Sequence, residues 1–242
     1  MNYKSFFSIA FLVAVILSQS ASGMQRDKFR SLCDEIVVFK DAERIKRCLQ
    51  EFNVNYANDN GDTLLTIAAG QGYDDPFNHK PIENIRKIVK ILLECGADVN
   101  HANRQGETAL ERACWSGDFE IVKLLLEYGA NVNYINPKNG KTPLLRAAAL
   151  HSIHFETVRL LLEYNANVNC PNIYDGWTPL HQACWAGNFE VVKILLDYGA
   201  DISCKDKSGR SPLDIANQKG YSEIAALLAA EIKNRKLNHK YS

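Results

Sequence analysis

The sequence predicts an all-α protein, a solenoid of stacked helix-turn-helix units joined by β-hairpin-like fingers. Three observations carry this expectation. A turn glycine recurs as Gly61, Gly106, Gly140, Gly176 and Gly209, at successive steps of 45, 34, 36 and 33 residues. A hydroxyl residue follows two positions later each time, as Thr63, Thr108, Thr142, Thr178 and Ser211. The far end of each unit is equally regular: Cys95-Gly96-Ala97-Asp98-Val99-Asn100, Tyr128-Gly129-Ala130-Asn131-Val132-Asn133, Tyr164-Asn165-Ala166-Asn167-Val168-Asn169 and Tyr198-Gly199-Ala200-Asp201-Ile202-Ser203. A period of roughly 33 residues restated along a chain is the mark of a stacked repeat array.

The chain divides as follows. Residues 1–23 read as a secretory signal: Lys4 is a positive start, Phe6 to Leu17 is an apolar run broken only by Ser8, and Ala21-Ser22-Gly23 suits a processing site. The run is short for a bilayer span, which takes about 20 apolar residues. An uncleaved membrane anchor is the alternative. Residues 24–59 read as a degenerate first repeat that caps the array. Phe29, Leu32, Ile36 and Val37 mark one helix, and Ile45, Cys48, Leu49 and Phe52 mark the next. Four fuller repeats occupy 60–104, 105–138, 139–174 and 175–207, and residues 208–242 form a closing repeat with a basic tail. An array end has a neighbour on one side only, so atypical, more polar end units are expected.

Within a repeat each element has a local cause. Thr142-Pro143, Thr178-Pro179 and Ser211-Pro212 are helix starts, because the hydroxyl caps free amides and proline loses nothing at the first helical position. The first helix carries small residues (Ala113-Cys114, Ala147-Ala148, Ala183-Cys184) that let neighbouring helices approach. A second helix begins after Gly117-Asp118 or Gly187-Asn188, with apolar residues at helical spacing such as Val191, Val192, Leu195 and Leu196. It ends at Gly96, Gly129, Asn165 or Gly199, residues that tolerate a left-handed backbone. In the last repeat the helix is expected over Tyr221 to Ala230, and the basic tail Lys233, Arg235, Lys236 and Lys240 reads as a solvated helix end, where positive charge suits the dipole, or as a surface for an acidic partner. Two departures stand out: an insertion around Tyr73 to Pro81, and a lengthened segment at His151-Ser152-Ile153-His154.

At these residues the chain resembles the ankyrin-repeat family. The Thr-Pro-Leu-His box stands complete at Thr178 to His181 and is degraded at Thr63-Leu64-Leu65-Thr66, Thr108-Ala109-Leu110-Glu111, Thr142-Pro143-Leu144-Leu145 and Ser211-Pro212-Leu213-Asp214. The resemblance covers about residues 55 to 228. It implies a non-enzymatic protein–protein interaction module, with partners lying against finger tips and first helices. It also implies that His181 ties its turn through hydrogen bonds while Cys184 faces the core.

Carried over position by position, the finger tips are Asp59, Asn60 and Asp62; Arg104, Gln105 and Glu107; Lys138, Asn139 and Lys141; Tyr174, Asp175 and Trp177; Lys207, Ser208 and Arg210. Their charge runs from acidic to basic. On the first helices the variable site holds Trp115 and Trp185. The candidate partner-binding residues are Arg104, Glu107, Trp115, Lys141, Tyr174, Trp177, Trp185 and Arg210. Two readings of Trp115 and Trp185 stay open: anchors for a partner, or fillers between neighbouring repeats.

Composition bounds the rest. Lys plus Arg equals Asp plus Glu at 28 each, so no broad positive field points to nucleic acid or an acidic membrane. The expected partner is a protein, the expected state a monomer, and no cofactor or metal is implied. Seven cysteines, an odd number, sit oddly with an export signal. Packing accounts for Cys114 and Cys184, and Cys170 with Cys204 should stay unbridged. Cys33 with Cys48 is the one bridge left open. One resolution is a bacterial protein of an intracellular species, secreted or periplasmic after cleavage and destined for another cell. For chemistry, His151 and His154 lack a third ligand, and His181 with Cys184 resembles a nucleophile pair only on paper.

Overall fold

The structure, a computed structural model, describes residues 53–70, 82–149 and 155–241. The expected signal segment 1–23, nearly all of the first repeat with Cys33 and Cys48, the insertion around 73–81 and the His151–His154 segment lie outside the described residues.

Two compact units divide between Ala130 and Asn131. The first contains α1 (Leu64–Ala69), α2 (Ile82–Glu94), α3 (Ala109–Ser116) and α4 (Phe119–Glu127). The second contains α5 (Pro143–Ala148), α6 (Phe155–Glu163), α7 (Pro179–Ala186), α8 (Phe189–Asp197), α9 (Pro212–Lys219) and α10 (Ser222–Tyr241). The division falls inside the stretch read from sequence as one repeat, 105–138. The cause is where counting starts: the helix pair α3 and α4 closes at Ala130, and the finger that follows belongs to the next pair.

Both units use the same packing rule. In the first, α1 packs on α3 and α2 on α4, while α1 with α2 and α3 with α4 pack as sequential pairs. In the second, first helices α5, α7 and α9 stack in series, and second helices α6, α8 and α10 stack behind them. This is the all-α solenoid architecture the sequence predicts. Leu65, Leu92, Leu110, Ile121 and Leu125 fill the first core, and Leu144, Leu161, Leu180, Leu195, Ile215 and Leu228 the second. Truncating one such leucine to alanine costs about 2–5 kcal/mol in well-packed cores.

Helix ends follow the expected chemistry. The hydroxyls of Thr63, Thr108, Thr142, Thr178 and Ser211 each accept the backbone N–H three residues on. Asp118 and Asn188 cap α4 and α8 in the same way. The second helices stop in a left-handed residue, and where the others have glycine, Asn165 adopts φ 64°. The Asn165 N–H donates to the Leu162 carbonyl and the Ala166 N–H to that of Leu161, the paired bonds of a Schellman stop.

Between the helices, the fingers are turns rather than paired strands. Each closes on a pair of backbone bonds, such as Asn103 N–H to Glu107 O at 3.0 Å with Gly106 N–H to Asn103 O at 2.8 Å. An isolated bridge joins Ala102 and Thr108. Asparagines then link successive repeats. The Asn133 amide donates to Asn165 O at 3.0 Å and its Oδ1 accepts from Asn167 N–H at 2.8 Å. Asn55 and Asn169 make the same two-way grip on the next helix end within their units.

The last helix departs from expectation. It runs to Tyr241, past the expected end at Ala230. No glycine or proline interrupts Glu231 to Lys236, and Glu231 pairs with Arg235 one turn on at 2.8 Å. Arg235 is therefore no simple solvated charge: its Nη1 donates to Ala200 O at 3.0 Å.

Candidate functional site

The finger tips are set by a side chain at the base of each turn, half-buried at Asn58 and buried at Asn103 and Asp206. Asn58 Oδ1 accepts the N–H groups of Asn60 and Asp62 at 2.9 Å each. Asn103 does the same for Gln105 and Glu107, and Asp206 for Ser208 and Arg210. These Asx turns fix the tip backbone, so the side chains at the tips project from a rigid frame.

In the first unit a polar clasp joins two fingers. Arg112 Nη2 lies 2.9 Å from Asp62 Oδ1 and 3.0 Å from Glu107 Oε2. Asn103 Nδ2 donates to Asp62 Oδ1 at 2.8 Å and to Glu107 Oε2 at 3.2 Å. Glu107 thus stands half-buried within the clasp, while Arg104 is exposed and gives its backbone N–H to Asn60 O at 2.9 Å. Trp115, near the end of α3, is 57% exposed.

The second unit builds the same face from aromatic groups. Trp177 is half-buried and donates Nε1–H to Asp206 Oδ2 at 3.2 Å. Arg210 binds that oxygen at 2.7 Å and sets its guanidinium 5.7 Å from the Trp177 ring centre. Trp185, 44% exposed, lies 6.4 Å from Trp177 in a tilted arrangement. The Lys219 ammonium stands 4.6 Å from the Trp185 ring centre, within the range of a cation–π contact. Tyr174 is exposed, with its hydroxyl donating to Pro137 O at 2.8 Å, and Lys141 is half-buried.

His181 supports this cluster from below. It is fully buried and stacks on Trp177 at 6.4 Å. Nε2 lies 3.1 Å from the Arg210 carbonyl, a group that can only accept, so Nε2 carries the proton. Nδ1 then accepts the Thr178 N–H at 3.2 Å. Burial pushes the imidazole's pKa down, against the opposing pull of the Arg210 carbonyl and the Asp206 charge. At Asp206 burial acts to raise the carboxyl's pKa, but the Arg210 backbone and side chain and the Ser208 N–H outweigh it, and the result is a lowered value.

The thiols offer little nucleophilic character. Cys184 is fully buried, and its pKa is pushed up to about 12, by burial first and then by the Cys204 charge. The sulfur near His181 Nδ1 is that of Cys204, at 3.8 Å, and it donates to Asp201 O at 2.9 Å. Burial also raises Cys170 and Cys204, both of which are free thiols. Among the described residues no group of three or more His, Cys, Asp or Glu side chains could hold a metal ion, and no helix is long and apolar enough to cross a membrane.

The finger-and-first-helix face differs in charge between units. In the first, Asp59, Asp62, Asp98, Glu107 and Glu111 oppose Arg104 and Arg112. In the second, Lys138, Lys141, Arg146, Lys205, Lys207, Arg210 and Lys219 oppose Asp175, Asp201, Asp206 and Asp214. The sequence reading missed Asp206 and Lys219. Asp206 was detectable as the aspartate standing where Asn103 and Asn172 stand in other fingers. Lys219 became visible only once α9 was seen beside α7.

The family described as Ankyrin repeats (3 copies) matches residues 35–136, 133–206 and 156–240. Over 70 residues the chain is 40% identical to a protein of Acanthamoeba polyphaga mimivirus that carries the name of an ankyrin repeat protein, covering 25% of this chain and 43% of that one. Over 80 residues it is 32% identical to a protein of Oryza sativa subsp. japonica named as an E3 ubiquitin-protein ligase, covering 33% of this chain and 16% of that one. The matched stretches thus span less than half the length of these curated relatives.

Proposed function

We propose that this chain, which belongs to the ankyrin-repeat family and is accordingly a protein–protein interaction module, binds its partner through the finger tips and first helices of its units. Trp115, Trp177 and Trp185 act as anchors, and Arg104, Glu107, Lys141, Tyr174 and Arg210 set the polar surround. The observation that carries this reading is the exposure of Trp115 and Trp185, 57% and 44%, at the same position of two repeats. Filling between repeats would bury them far more. Tryptophan is enriched among the few residues that dominate binding energy, where truncation costs about 2 kcal/mol or more.

Trp185→Ala tests this. Capture of the partner from candidate host or periplasmic extract should fall sharply, while the helical signal and melting cooperativity hold. Unfolding of the variant without a specific loss of affinity would instead assign the indole to the fold.

The reading includes export as a monomer, supported by the charged start, short apolar run and small-residue site within Met1 to Gly23. A structural protein tethered by an uncleaved first segment is the second reading, favoured by the same apolar run. N-terminal sequencing of purified protein separates them: a mature start near Met24 supports export, and an intact Met1 supports the tether.

A further inference from the structure

We infer that the segment seated on the second unit is an acidic polypeptide, with an apolar side chain covering Trp185 and a carboxylate on Lys219. This rests on the reading above and names the partner's chemistry. Three observations carry it.

First, the face of this unit is cationic, seven positive against four negative side chains along its fingers and first helices. Second, its charges differ in how far they are already answered. Arg210 is held by Asp206 at 2.7 Å, and Lys207 Nζ donates to Ile173 O at 2.8 Å. Lys219 is exposed and meets the Trp185 ring, with no carboxylate within ion-pair distance among the described residues. An ammonium over a ring retains attraction for an anion, and a carboxylate arriving there completes a set of three: indole, cation, anion. Third, the apolar target lies beside the charge. Trp185 exposes its indole next to Trp177, whose own Nε1–H is committed to Asp206.

The same arrangement argues against single-stranded nucleic acid. Bases bind such proteins by stacking on open aromatic faces. Here Arg210 covers Trp177 on one side and His181 stacks beneath it, while Lys219 lies over Trp185. A flexible side chain can settle against the indole edge where a flat base cannot lie on its face.

The experiment uses the full chain and three labelled probes: a synthetic peptide alternating glutamate and leucine, its counterpart with lysine for glutamate, and an oligothymidylate. Fluorescence anisotropy should show binding of the acidic peptide alone, weakening as salt rises through the range where charge attraction is screened. Lys219→Glu should weaken it by about tenfold or more, as expected when an attraction becomes a repulsion. Lys219→Gln, which spares the helix end a misplaced negative charge, should fall between. Circular dichroism checks that both variants fold.

No binding of the acidic peptide, equal affinity in Lys219→Glu, or preference for either other probe would overturn the inference. So would self-association in sedimentation that Lys219→Glu abolishes, since a second copy would then own the surface. If Trp185→Ala loses the captured partner while Lys219→Glu keeps it, the acidic chemistry fails and the binding face stands. If neither variant affects capture, both fail.

Discussion

The two units solve one problem with different chemistry. Each must hold neighbouring fingers in register above its first helices. The first unit does so with Arg112, which rises from α3 to bridge Asp62 and Glu107. The second recruits an indole: Asp206 and Arg210 of one finger grip each other and the Trp177 edge of the finger before it. Both devices are charge-assisted and both units leave an indole exposed, Trp115 and Trp185, but the second sets its indole beside Trp177 and under the Lys219 ammonium. The lesson is that a repeat's framework can stay fixed while the clasp between fingers decides what kind of surface is offered.

The most disruptive way to probe that contrast is His181→Leu. The isosterically similar Leu145 occupies the matching site in α5, so the fold accepts an apolar side chain there. Loss of the imidazole leaves the Thr178 N–H and Arg210 carbonyl without these partners, at a cost of about 2–3 kcal/mol. Urea unfolding should register that loss, and amide exchange should localise it to 172–215. A loss below about 0.5 kcal/mol would mean the histidine is dispensable to the finger frame.

Arg112→Met comes next. It removes the clasp of the first unit and leaves two carboxylates facing one another, for a loss of about 1 kcal/mol, given that the pair is partly solvated. The effect should shrink at high salt. Salt-independent loss would point to packing of the arginine stem instead.

Acid should act on the second unit through two groups of the same sign. His181 is folded with a depressed pKa, so its contribution is full above the ordinary histidine value and is lost as pH falls through the depressed one. Asp206 is also depressed, so its contribution is present above the ordinary aspartate value and drains away as pH drops through the folded one. Asp206→Asn keeps an amide oxygen for the Ser208 and Arg210 N–H groups, as Asn103 does for its own finger. It should therefore cost only about 1 kcal/mol at neutral pH and flatten the acid limb below about pH 4. An unchanged acid limb would remove Asp206 from the account.

The smallest effect belongs to Asn165→Gly. A left-handed asparagine is only mildly strained, and glycine repays part of the relief as backbone entropy. Thermal unfolding should show a gain under about 0.5 kcal/mol.

These cases mark what the amino-acid order discloses. Caps at Thr142, Thr178 and Ser211, the stop at Asn165 and the small residues of α7 are local: each side chain acts within a few positions of itself, so its role is written beside it. The same is true of the Thr178–His181 tie, although its far end, the Arg210 carbonyl, lies 29 positions on. Relations that cross repeats are hidden. Trp177 meets Asp206, Lys219 meets Trp185 and Arg235 meets Ala200 only because helices stack in a given order and rotation. The extension of α10 was missed for a different reason: the repeat pattern suggested a stop at Ala230, whereas helix ends are set by stop residues, and none is present.

One further consequence lies in the asparagines that grip each following helix end. At Asn133 and Asn169 that grip presumes a neighbour with a left-handed stop to hold. At the corresponding place after α8 stands Ser203, whose hydroxyl folds back onto Asp201 at 2.6 Å. Beyond it α10 runs on without a stop, and its Arg235 reaches back to Ala200. The two-way asparagine grip is therefore not repeated after α8. A copied middle module could be spliced in after Asn133 and find both its hands taken, but one appended after Ser203 would have nothing to hold.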